Sequence, residues 1–145
     1  MNDFLKYFII GILFWVVVDY STAFNPNFQV WLSYMPEIWL FYIGYPLMFA
    51  YLIYKKMWDA RKIFYSMLIA AFVVEVVLSH NALLYTLPIM LVMIPIAVCI
   101  YGFITFVPEW IVENRVIENK KSTILFTFVW VIVSILSFVT RTNSG

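Results

Sequence analysis

The stretch Ile63–Leu84, IFYSMLIAAFVVEVVLSHNALL, decides the fold, because it is largely apolar and its one formally charged side chain, Glu75, sits just past the midpoint. About 20 apolar residues cross a hydrocarbon core of roughly 30 Å, so the length predicts a membrane span. A carboxylate near the middle of such a helix costs at least about 2.5 kcal/mol on insertion scales. Intramembrane acids therefore usually face protein, pair with something and mark a site.

The rest of the chain repeats the pattern. Of its 145 residues 65% are hydrophobic and 12% charged, and the mean hydropathy is +0.94, which a soluble domain of this size could not sustain. Five apolar runs predict spans at Leu5–Thr22, Pro36–Tyr54, Ile63–Leu84, Pro88–Val107 and Thr123–Thr140. The expected fold is an all-α, polytopic, five-span bundle forming one transmembrane domain over residues 1–145, in a multi-pass membrane location. Short loops leave no space for a soluble catalytic or nucleic-acid-binding domain, so the bilayer is the first partner and nucleic acid is not one. The small-residue cleavage pattern of a signal peptide is missing after Tyr20, which reads as a retained first span. Cys99 is the only cysteine, so no intrachain disulfide forms.

Orientation follows from the nine basic residues. Lys6, Lys55, Lys56, Arg61, Lys62, Arg115, Lys120 and Lys121 fall on one side of the predicted spans and Arg141 alone on the other. The positive-inside rule then places the N-terminus in the cytoplasm and the C-terminus outside. Residues 24–34, with Phe24, Phe28, Trp31 and Tyr34, read as an outer interfacial segment. Residues 108–121 alternate apolar side chains with Glu113, Arg115, Glu118 and Lys120, the pattern of a short amphipathic helix on the inner surface that Glu109 begins. Ser33 before Pro36 and Thr86 before Pro88 read as hydroxyls near the caps of spans two and four, each with a proline in the first turn.

On this topology Asp19, Glu37, Glu75, His80 and Asn81 converge on the extracytoplasmic half. Ala71, Glu75, Ser79 and Ala82 share a small-residue helix face, which lets another helix approach and points Glu75 into the bundle. His80 is about 140° around a regular helix from Glu75 and does not share that face. Glu75 and Asp19 are the candidate catalytic or proton-handling carboxyls, with Glu37, His80 and Asn81 as candidate ligand contacts. Each also has a structural reading: Glu75 buried and hydrogen-bonded, Glu37 complementing a helix dipole, Asp19 reaching headgroup water, and His80 with Asn81 forming a turn. Thr123, Thr127, Trp130, Ser134 and Ser137 form a seam on span five that reads first as packing.

Several chemistries are excluded. There is no HExxH, Walker loop, haem histidine pair or nucleophile elbow. One histidine among scattered carboxylates does not predict a transition-metal site, and no cofactor is expected. No lysine or arginine lies deep in a span, which argues against an anion path or a voltage sensor. Glu37, followed nine positions later by Pro46, a basic loop and Glu75 in the third span, loosely resembles the EXPERA group of sterol-isomerase-like and sterol-sensing membrane proteins. The histidine that group carries in the preceding span is missing and span five has no counterpart, so no residue role is carried over.

Three functions compete. An acidic pocket could bind a lipophilic or amphiphilic small molecule and, in an enzyme, isomerise it with a protonated carboxyl as general acid. The chain could instead be an accessory subunit, with a homo-oligomer or other membrane subunits as partners, or a proton- or cation-coupled transporter. The cost of burying Glu75 ranks the ligand pocket first.

Overall fold

The computed structural model describes residues 1–117 and 119–143, and all regular structure among them is helical. The helices are α1 (Asp3–Asp19), α2 (Phe28–Ala50), α3 (Ala60–Phe72), α4 (Met90–Val112) and α5 (Lys120–Asn143), with a short 3-10 turn at Ala82–Leu84. The first three widen at their C-terminal ends into π turns, Tyr20–Phe24, Tyr51–Lys55 and Val73–Leu78. In these turns the N–H groups of Asn25, Lys56 and Ser79 donate five residues back, to Tyr20, Tyr51 and Val74, at 2.8, 3.0 and 2.9 Å. Among the described residues four continuous helices are long and apolar enough to cross a membrane: Asp3–Phe24, Phe28–Lys55, Met90–Val112 and Lys120–Asn143.

The third apolar run behaves differently from its expected continuous span over Ile63–Leu84. Thirteen residues of α3 and six of its π turn end at Leu78. Then His80 takes a left-handed conformation with φ 48°, and the chain turns back so that the Asn81 N–H reaches the Glu75 carbonyl at 2.9 Å. The polar run Ser79-His80-Asn81 supplies the residue types that tolerate such a reversal. The same device ends the preceding helix, where Met57 has φ 53° and the Trp58 N–H reaches Leu52 at 3.1 Å.

Two expected helix starts are also corrected. The second helix begins at Phe28, so most of the proposed interfacial segment 24–34 is helical and Pro36 lies well inside α2. Ser33 bonds the Val30 carbonyl at 2.6 Å rather than capping anything. Pro88 precedes α4, and Thr86 bonds Ala82 at 3.0 Å instead of the helix start. The amphipathic helix expected over 108–121 does not form. Pro108–Val112 belong to α4, the residues from Glu113 to Ile117 are non-helical, and Glu118 lies outside the described residues. The cause is Glu109, whose buried carboxylate accepts from the following loop's N–H groups and so draws that loop onto the bundle.

Helix α4 is the hub, packing on α1, α3 and α5. Its nine consecutive residues from Tyr101 to Glu109 are all buried. The buried residues of α1, Tyr7, Gly11, Trp15 and Val18, are spaced four, four and three, the interval of one helix face, and from it Tyr7 and Trp15 reach Thr105 and Tyr101 of α4. Helix α2 approaches α1 closely at Gly11, where an added Cβ would stand 2.8 Å from Pro46 Cβ. On α5 three of the five seam residues, Thr127, Trp130 and Ser134, are engaged in bonds or packing. Thr127 bonds its own helix at Thr123, Trp130 Nε1 and Ser134 Oγ each meet Ser21 Oγ at 3.0 Å, and the Trp130 ring stacks on Phe103.

The ends of the bundle separate the charges. Arg115 donates to the Ile53 carbonyl and Lys55 lies over the Phe4 ring, which brings the basic loops and the start of α1 to one end. Arg141 reaches the Thr22 and Asn25 carbonyls at the opposite end, at 3.1 and 3.3 Å.

Candidate functional site

Glu75 projects from the π turn after α3 toward α4. Its Oε1 accepts from the Tyr101 hydroxyl at 2.8 Å and its Oε2 from the Asn81 amide at 3.0 Å. The expected inward direction of Glu75 is what the structure has, and the reversal at His80 brings Asn81 onto the same carboxylate. Each carboxylate oxygen has two lone pairs, so two donors leave acceptor capacity. Beside Glu75 is a cavity of about 330 Å³ between α3 and α4, lined otherwise by apolar side chains such as Leu68, Ala71, Ile94, Ala97 and Val98, with Tyr85 at its edge.

Asp19 ends α1 in the same half of the bundle, within charge–charge range of Glu75. Its Oδ2 accepts from the Tyr42 hydroxyl at 2.5 Å, and Tyr42 accepts from Trp31 Nε1 at 3.0 Å. The two acids are joined through aromatic residues. The Trp15 ring sits 6.2 Å from Tyr42, 5.1 Å from Tyr45 and 5.8 Å from Tyr101. Trp15 Nε1 is buried without a hydrogen-bond partner among the described residues. Below this layer Tyr45 and Thr105 share a hydrogen bond at 2.7 Å and Tyr7 donates to the Thr105 carbonyl at 2.9 Å.

The other sequence candidates lie elsewhere. Glu37 is exposed on the outer face of α2, away from the Tyr42–Tyr45 face. His80 is exposed and serves as the left-handed residue of the chain reversal. Among the described residues no group of three or more His, Cys, Asp or Glu is placed to hold a metal ion.

Sequence reasoning missed Tyr42, Tyr101 and Trp15, which look like any other members of an aromatic-rich chain. A weak signal existed, since a buried acid needs donors and tyrosine is the commonest donor here, at ten copies. It also missed Glu109, which is fully buried, with Oε1 accepting from the Arg115 and Val116 N–H groups at 2.6 and 2.9 Å. No family model, curated protein or solved structure matches the chain.

Proposed function

We propose that the chain is a five-span membrane protein with a cytoplasmic N-terminus, and that the Glu75 cavity binds a lipophilic molecule with a hydrogen-bond-donating or cationic head. The span count rests on α3 with its π turn, which runs between the basic Asp59–Lys62 end and the polar Ser79–Asn81 reversal and places Arg141 opposite the other basic residues. A helix of this length, somewhat short of an average span, is accommodated by local thinning or flanking polar residues at modest cost.

One observation carries the ligand reading. Glu75 lines an otherwise apolar cavity while keeping unused acceptor capacity, held in place by Tyr101 and Asn81. Apolar walls with a few fixed polar groups are the usual make-up of a small-molecule site. In such a site the apolar part of the ligand displaces lipid or water, and the carboxylate orients the head. Asp19, fixed by Tyr42, adds a second negative or proton-holding group to the same layer.

The test is native mass spectrometry of the protein extracted from its own membranes in mild detergent. A defined lipophile retained by the wild type and lost in Glu75→Gln, with helicity unchanged by circular dichroism, is the expected result. Equal retention in Glu75→Gln overturns the site. Stoichiometric unrelated subunits with no small molecule would instead make the chain an accessory subunit.

A further inference from the structure

Residues 79–89 join α3 and its π turn to α4 and hold little regular structure beyond the 3-10 turn Ala82–Leu84. Leu83, Tyr85 and Leu87 are 45, 58 and 68% exposed, so little buried apolar surface holds this segment down, and such segments open locally at low free energy. Beyond the backbone reversal itself, two side-chain bonds tie it to the π turn. The Asn81 amide donates to Glu75 Oε2 at 3.0 Å, and the Tyr85 hydroxyl donates to the Val76 carbonyl at 2.7 Å. The Val76 carbonyl lies in the last turn of its helix, where acceptors lack a partner further along, and the reversal takes the Asn81 N–H to the Glu75 carbonyl instead. Asn81 also shapes the segment, its Oδ1 accepting from the Leu83 N–H at 3.2 Å and its carbonyl from the Leu84 N–H at 3.0 Å. Both acceptors on the π turn border the Glu75 cavity: Glu75 and Val76 line it, and so do Leu84 and Tyr85 of the segment itself.

We infer that residues 79–89 are a strap that closes the Glu75 cavity at the end of the bundle opposite the basic loops, latched by Tyr85 and Asn81, and that lifting the strap admits the polar head of the bound molecule from water. The inference rests on the proposed ligand site for what enters, and on the two latches alone for how the cavity opens. The chemistry suits a gate. Each latch is a single hydrogen bond from a side chain at least partly exposed to an acceptor fixed on a helix, and water replaces it when the strap lifts, so no polar group is stranded. Leu84, partly buried against the cavity, gives closure an apolar driving force. Glu75 is at once the catch for Asn81 and the acceptor that the head meets. A donor arriving at Oε2 takes the place of Asn81, so entry of the head and release of the strap are coupled.

The experiment places a reporter cysteine on the α4 wall of the cavity, Ala97→Cys in a Cys99→Ala background, and follows its reaction in nanodiscs with a membrane-impermeant cationic thiol reagent, trimethylammonioethyl methanethiosulfonate, by intact-protein mass spectrometry. Tyr85→Phe, which removes only the latching hydroxyl, should speed labelling about fivefold, the effect of one hydrogen bond of about 1 kcal/mol. Asn81→Ala should speed it at least as much, because it also removes the brace to Leu83. Tyr65→Phe, an exposed tyrosine near the start of α3, should change nothing. Hydrogen-exchange mass spectrometry of the chain without the reporter is the second readout: in Tyr85→Phe the amides of residues 82–86 should exchange about fivefold faster and those of α1 at their former rate. Labelling and exchange that do not respond to Tyr85→Phe overturn the strap, as does an equal acceleration by Tyr65→Phe, which would assign the effect to general loosening. The reagent reports access with no molecule bound. A wild type that retains no lipophile, yet labels faster in Tyr85→Phe, therefore refutes the ligand and keeps the gate.

Discussion

Replacing Glu109 by alanine removes the anchor of the loop that closes the basic end of the bundle. The carboxylate makes two short bonds, to the Arg115 N–H at 2.6 Å and the Val116 N–H at 2.9 Å, while the Ile117 N–H at 3.5 Å is too long to count for much. Bonds to a charged group contribute about 1.5–3 kcal/mol each, which gives a range of about 3–6 kcal/mol if both donors stay buried and unpaired. Val116 is buried but Arg115 is only half-buried, so water can reach one of the two donors and the expected loss is near the lower limit, about 3 kcal/mol. The loop also carries the Arg115 contact to the Ile53 carbonyl, so releasing it loosens the end of α2 as well. Glu109→Gln keeps an oxygen that can accept both short bonds, now as neutral ones, and should cost about 1 kcal/mol. Equilibrium unfolding in mixed micelles, followed by the fluorescence of the six tryptophans, measures both. Glu113→Ala is the control, since that side chain is 40% exposed and its ion pair with Arg115 contributes at most about 1 kcal/mol. A Glu109→Ala loss below about 1 kcal/mol, or a Glu109→Gln loss as large as the alanine one, would refute the anchoring argument.

Two other predictions test the packing and the topology. Gly11→Ala should destabilise, because the new Cβ meets Pro46 Cβ at 2.8 Å and overpacking of about 1–3 kcal/mol exceeds the helix-propensity gain of about 1 kcal/mol. Gly44→Ala, where nothing lies within 4 Å of the added Cβ, should be neutral or stabilising in the same unfolding assay; the reverse order would mean that α1 and α2 do not approach as described. A periplasmic-active phosphatase fused after Asn143 should be active, and a fluorescent protein that folds only in the cytoplasm should be dark there. A fluorescent C-terminal fusion would mean an even number of crossings and would leave α3 inside or on the membrane without spanning it.

Much of this protein follows from its sequence alone, for a definite reason. Apolar length and the placement of nine basic residues are one-dimensional properties, and they locate the four long helices and the two differently charged ends without any knowledge of packing. The inward direction of Glu75 is expected from a small-residue face, but of that face only Ala71 is buried; Ser79 and Ala82 are exposed at and beyond the chain reversal, and it is the π turn with Tyr101 and Asn81 that sets the carboxylate's direction. What sequence could not decide depends on partners distant along the chain. The 101–109 stretch looks like any apolar run, and only packing on α1, α3 and α5 makes it the hub. Tyr42, Tyr101 and Trp15 become site residues because three helices bring them to two carboxylates, and nothing in a single aromatic residue announces that. Glu109 looked like the acidic start of a surface helix because its local pattern is that of one. Its burial is set by backbone N–H groups six and seven residues later that need an acceptor once the loop folds back, and a buried donor's demand for a partner is met in space, not in sequence order.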